Sequence, residues 1–182
     1  MADTDLSTMN RTVYYAAAIF QAAAALPDEF LPTVSLEWNG KDGISGVGLK
    51  VEYDPKSRKP LPTVAQLIEA NVSSYIGACW AVECLYFDGK ESARALQQEI
   101  LMRDHLQALF TQKDLFIDTV QADIVVENMK ANSLKILGEK NTFFKWVGEL
   151  EREVQSVIKG NNPITPTLQQ SPPSLPPQSP SP

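Results

Sequence analysis

The stretch that decides the fold is Thr63–Gly89, TVAQLIEANVSSYIGACWAVECLYFDG. Pro60-Leu61-Pro62 breaks the chain before it, and Asp88-Gly89 ends it. Thr63 with Gln66 has the form of a capping box, in which each side chain satisfies the other residue's backbone N–H. From Val64, the residues Leu67, Ile68, Val72, Tyr75, Cys79, Val82 and Tyr86 recur at helical spacing and make one apolar face. Ser73, Gly77 and Ala81 recur every four residues on another side. Small residues at that step admit a second helix at close range, so the pattern predicts a central helix buried on two sides. Gly77 inside a helix costs about 1 kcal/mol relative to alanine, and close packing is the compensation expected for it.

Upstream, Ser7 or Thr8 can cap an alanine-rich first helix that Pro27 stops after Leu26. Met9, Val13, Ala16 and Phe20 share one of its faces. Thr33–Trp38 and Val47–Tyr53 then alternate apolar and polar residues around the turn-rich Asn39–Gly43. This predicts a β-hairpin at about 33–53, between the first and second helices. Gly43, Gly46 and Gly48 do not form a phosphate loop, because a strand and not a helix N-terminus follows them.

Downstream, Glu91–Phe110 reads as a helix, and Lys113–Lys130 as its successor. Residues 123–138 carry two signals: Ile124-Val125-Val126 and Leu134–Leu137 also suit short strands. Asn141 or Thr142 starts a last helix to Lys159, with Phe143, Val147, Leu150, Val154 and Val157 on one face. From Asn161 the chain turns to Pro, Ser, Gln and Thr without a charged side chain. Such a segment buries too little apolar surface to offset its chain entropy. The expected organisation is mainly α: a single helical domain of about five helices over residues 1–160 with the inserted hairpin, and a disordered tail over 161–182.

Composition narrows the function. The net charge is −6, which argues against a phosphate backbone as partner. No run approaches the roughly 20 apolar residues of a membrane span. Cys79 and Cys84 on one helix stand about 8–9 Å apart at Cα, beyond disulfide reach. Two thiols in a reducing, cytoplasmic setting are expected. His105 is the only histidine, so HExxH zinc sites and paired Glu-x-x-His di-iron sites are excluded, and no metal or cofactor is expected.

Catalytic candidates reduce to Arg94, Arg103 and His105, the residue types that a small helical ribonuclease-like effector would use on RNA. Arg103 and His105 are two residues apart, which puts them on different faces of a helix. Glu99 and Arg103 are placed for an i,i+4 ion pair. An apolar pocket beside Trp80 and Glu83 is a third, weaker possibility. The expected function is therefore non-enzymatic: a protein-interaction or assembly protein acting through helical surfaces and self-association. Phe143, Trp146 and Leu150 of the last helix are the residues expected to meet the partner, and the hairpin edge is expected to be open to a partner strand.

Overall fold

Thr63 caps the central helix as its sequence predicts. Its Oγ accepts from the Gln66 backbone N–H at 3.0 Å, and its own N–H donates to the Gln66 side chain at 2.8 Å. The computed structural model describes residues 2–39 and 43–159. Residues 40–42 and 160–182, with the expectations attached to them, lie outside the described residues.

Five helices and one hairpin make up the described fold, which is mainly α. The first helix runs Ala2–Ala24, so it is already formed before Ser7 and Thr8. Phe30–Asn39 and Gly43–Tyr53 pair as an antiparallel hairpin, with a bulge between Glu37 and Trp38. The central helix spans 64–87, the third Ala93–Gln112, the fourth Thr119–Leu137 and the last Lys140–Ile158.

The central helix is not a regular α-helix. Two single-turn π segments, Ser73–Gly77 and Glu83–Phe87, flank the α segment Ala78–Val82. π turns of this kind concentrate at functional sites. Every residue from Ile76 to Glu83 is buried, which fits a helix enclosed by its neighbours. The fourth helix crosses it closely at Gly77, where a Cβ atom would lie 2.4 Å from Ser133 Oγ. The first helix is also enclosed: Ala16 to Phe20 are buried on all sides, against the last helix, the hairpin and the central helix. Alanine is what permits this, because its side chain lets two neighbouring backbones approach.

Residues 123–138 are helical. The apolar residues that matter there are Ala122, Val126, Met129 and Leu137, which with Ser133 recur at steps of three and four and are buried. The fourth helix starts later than the pattern predicts. Asp114 takes φ 57°, which breaks the chain after the third helix, and Asp118 caps the next one through the Gln121 N–H at 2.8 Å.

A two-stranded sheet is marginal in water by itself, and here the central helix anchors it. The Asn71 side chain accepts from Val51 N–H at 3.1 Å and donates to Val51 C=O at 3.1 Å, taking the place of a third strand. The Tyr75 hydroxyl donates to Val47 C=O at 3.2 Å. The free edge of the second strand is thus occupied at Val47 and Val51, positions that the sequence reading left open to a partner. Val34, Leu36, Ile44 and Val51 add the hairpin's apolar face to the core.

Candidate functional site

Arg11 and Tyr15 lie one turn apart on the first helix, so both can reach the same neighbour. That neighbour is Glu83, which opens the second π segment and is 0% exposed. The Tyr15 hydroxyl donates a hydrogen bond to the Glu83 carboxylate. Arg11 Nε stands 3.4 Å from Glu83 Oε2, a charge contact without hydrogen-bond geometry. The same guanidinium reaches Asp88 Oδ2 at 3.4 Å and lies 4.4 Å over the Phe87 ring. Glu83 Oε1 is buried with no hydrogen-bond partner. Leaving such a group unpaired costs about 1–3 kcal/mol, more when it is charged.

The carboxylate acts on its surroundings. Burial, then the hydrogen bond to Glu83 and its charge, hold the Tyr15 hydroxyl far above the usual phenol range. Burial and the charge of Glu83 push the Cys79 thiol up to about 12. Both groups therefore stay protonated at neutral pH, and Cys79 is no nucleophile there. Cys79 and Cys84 are both free thiols.

Tyr15 and Cys79 also line a cleft of about 510 Å³ where the first helix, the hairpin, the central helix and the third helix meet. Glu37, Tyr75 and His105 border it. Its floor on the hairpin is glycine: a Cβ at Gly46 would stand 2.7 Å from Glu37 Oε1, and one at Gly48 would stand 3.0 Å from Ser35 Oγ. The two glycines let the Glu37 and Ser35 side chains lie across the second strand.

The three catalytic candidates are not assembled into one site. Arg94 is exposed on the first turn of the third helix. Arg103 turns toward the fourth helix and grips Asp123 Oδ1 at 2.7 and 3.1 Å. His105 is on the other flank, beside the cleft, with Nδ1 3.0 Å from Leu101 C=O. The expected Glu99–Arg103 pairing is replaced by two pairings between helices. Glu99 meets Lys130 at 3.2 Å, and Lys130 also holds Glu127 at 2.8 Å and lies 5.3 Å over the Trp80 ring. Lys130 joins the third, fourth and central helices where local spacing pointed to a pair within one helix.

The last helix corrects the expected interface. Phe143, Trp146 and Leu150 belong to the core of the monomer, with Trp146 only 1% exposed and set edge-on to Phe20. Phe143 stacks on Tyr86 at 4.6 Å, and Tyr14 meets both rings. An apolar face on a helix looks the same in sequence whether it meets its own core or a partner.

Large apolar side chains are exposed elsewhere, on the outer surface of the third and fourth helices. Leu96 and Ile100 are one turn apart on the third helix, and Val120 and Ile124 one turn apart on the fourth. The Arg103–Asp123 and Glu99–Lys130 pairs form the seam between these helices. Helical spacing puts the four apolar residues just outside that seam. Phe116, in the connection between these two helices, is 82% exposed. Among the described residues no group of three His, Cys, Asp or Glu side chains is placed to hold a metal ion, and no helix is long and apolar enough to cross a membrane.

Comparison with family models, with curated proteins and with solved structures finds no match for this chain. The class it defines rests on its own geometry: a mainly helical domain whose central helix is anchored to an inserted hairpin.

Proposed function

We propose that this chain is a non-enzymatic assembly protein that self-associates through the outer face of its third and fourth helices. The observation that carries the reading is the exposed group Leu96, Ile100, Val120 and Ile124. Single exposed apolar residues are ordinary, but a group gathered on two adjoining helices is the mark of an interaction surface. The Arg103–Asp123 and Glu99–Lys130 pairs hold the two helices together beneath it, so the group is presented on a fixed surface. A net charge of −6 supports a protein partner over a nucleic acid. Two free thiols suit a reducing, cytoplasmic setting.

Light scattering on a size-exclusion column tests this reading. The wild type is expected to elute above the monomer mass. The double variant Ile100→Glu/Ile124→Glu is expected at the monomer mass with an unchanged circular dichroism spectrum, since both positions are exposed. A wild type that stays monomeric at high micromolar concentration overturns self-association. No specific observation favours the ribonuclease-like alternative, because Arg103 and His105 occupy different flanks of the third helix.

A further inference from the structure

We propose that the cleft bordered by Glu37, Tyr15 and Tyr75 binds a small organic ammonium ion. This site is separate from the apolar surface on the third and fourth helices. On the third helix, Gln98, Leu101 and His105 line the cleft, whereas Leu96 and Ile100 lie on another flank.

The ligand class follows from the acceptors and the negative charge that the cleft presents beside the Gln98 amide, the Ser35 hydroxyl and the His105 ring, which can also donate. The Tyr15 hydroxyl donates its proton to Glu83, and the Tyr75 hydroxyl donates its proton to Val47 C=O. The Ser45 hydroxyl donates to Glu37 C=O at 3.2 Å. Each of these oxygens keeps only acceptor capacity. Glu37 adds an ionised carboxylate, which accepts and does not donate. Neither lysine nor arginine is among the lining residues, so a phosphate or carboxylate ligand would meet the Glu37 carboxylate without a permanent cation to offset it. An ammonium group offers three donors and a positive charge, which is the complement of this set.

Two further features agree with that choice. Tyrosine rings attract cations through their electron-rich faces, and two tyrosines line this cleft. A volume of about 510 Å³ falls within the range of about 300–1,000 Å³ typical of small-molecule sites. Gly46 and Gly48 leave room for the Glu37 and Ser35 side chains to lie over the hairpin floor, because a side chain at either position would run into them.

The test compares three probes of similar shape at neutral pH: benzylammonium, benzyl alcohol and benzoate. Each is titrated into the isotope-labelled full chain and followed by amide NMR. Benzylammonium is expected to shift the Gly46, Gly48 and Tyr75 amides, and benzoate to leave them unmoved. Glu37→Gln is expected to weaken benzylammonium binding about tenfold. Glu37 is exposed, so this variant keeps the fold, and its own amide spectrum verifies that. Equal binding of benzyl alcohol or benzoate overturns the proposal. So does a benzylammonium response confined to another surface, no response at all, or undiminished binding by Glu37→Gln.

Discussion

The Tyr15 hydroxyl donates to Glu83 across 68 residues of sequence and ties the first helix to the central one through a fully buried carboxylate. Tyr15→Phe removes that donor and leaves the charge more poorly satisfied, so a loss of about 1–3 kcal/mol is expected. The loss shrinks in a Glu83→Gln background, where no buried charge remains to be abandoned. Urea unfolding of the two single variants and the double variant reads the coupling directly. Equal costs of Tyr15→Phe in both backgrounds would mean that the hydrogen bond contributes no more to a carboxylate than to an amide.

Gly77→Ala raises helix propensity by about 1 kcal/mol, yet the variant is expected to be less stable than the parent. The new methyl group would meet Ser133 Oγ at 2.4 Å, and overpacking of this kind typically costs about 1–3 kcal/mol. Removing the hydroxyl with Ser133→Ala in the same chain is expected to restore most of the loss, because the next contact, Ser133 Cβ, lies at 3.7 Å. Denaturant midpoints of the three variants decide it. A double variant no better than Gly77→Ala would place the conflict in the backbone.

The two thiols are expected to separate in reactivity and in pH dependence. Cys79 is buried while Cys84 is partly exposed, so Ellman's reagent at pH 8 is expected to modify Cys84 first and Cys79 only on unfolding. Burial and Glu83 push the Cys79 thiol up to about 12 from an ordinary value of 9.0. Below pH 9 both folded and unfolded chains hold this proton, and stability is unaffected. Between about 9 and 12 only the unfolded chain releases it, so stability falls as pH rises through that window. Tyr15, Tyr75 and Tyr86 are raised as well and add to the loss above pH 10. Cys79→Ala is expected to flatten the part of the decline that begins near pH 9. An unchanged profile would assign that part elsewhere.

What the sequence discloses here is local. The capping box of Thr63 and Gln66 spans four residues, and the hairpin alternation is read strand by strand. Gly77 announced a close helix because small residues at a four-residue step have few other uses. Ile124-Val125-Val126 was ambiguous because β-branched residues suit strands, and the helix prevails through contacts of Val126, Met129 and Ser133 with distant elements. The candidate site was half legible. Glu83 is a charge inside an apolar run, and Arg11 and Tyr15 stand at i,i+4. Nothing local says that these meet, nor that Glu37 and His105 border one cleft. The π segments left no mark in the pattern either, since an extra residue in one turn only blurs the spacing.

Those wide turns give the central helix an uneven tolerance of changes in length. A π turn holds one residue beyond the α repeat, and one residue is about 100° of rotation. Deleting a residue within Ser73–Gly77 exchanges a wide turn for an ordinary one and keeps everything downstream in phase, Glu83 included. The same deletion within Ala78–Val82 has no slack to absorb it and swings the carboxylate away from Arg11 and Tyr15. A one-residue deletion is therefore expected to be absorbed within Ser73–Gly77 and not within Ala78–Val82.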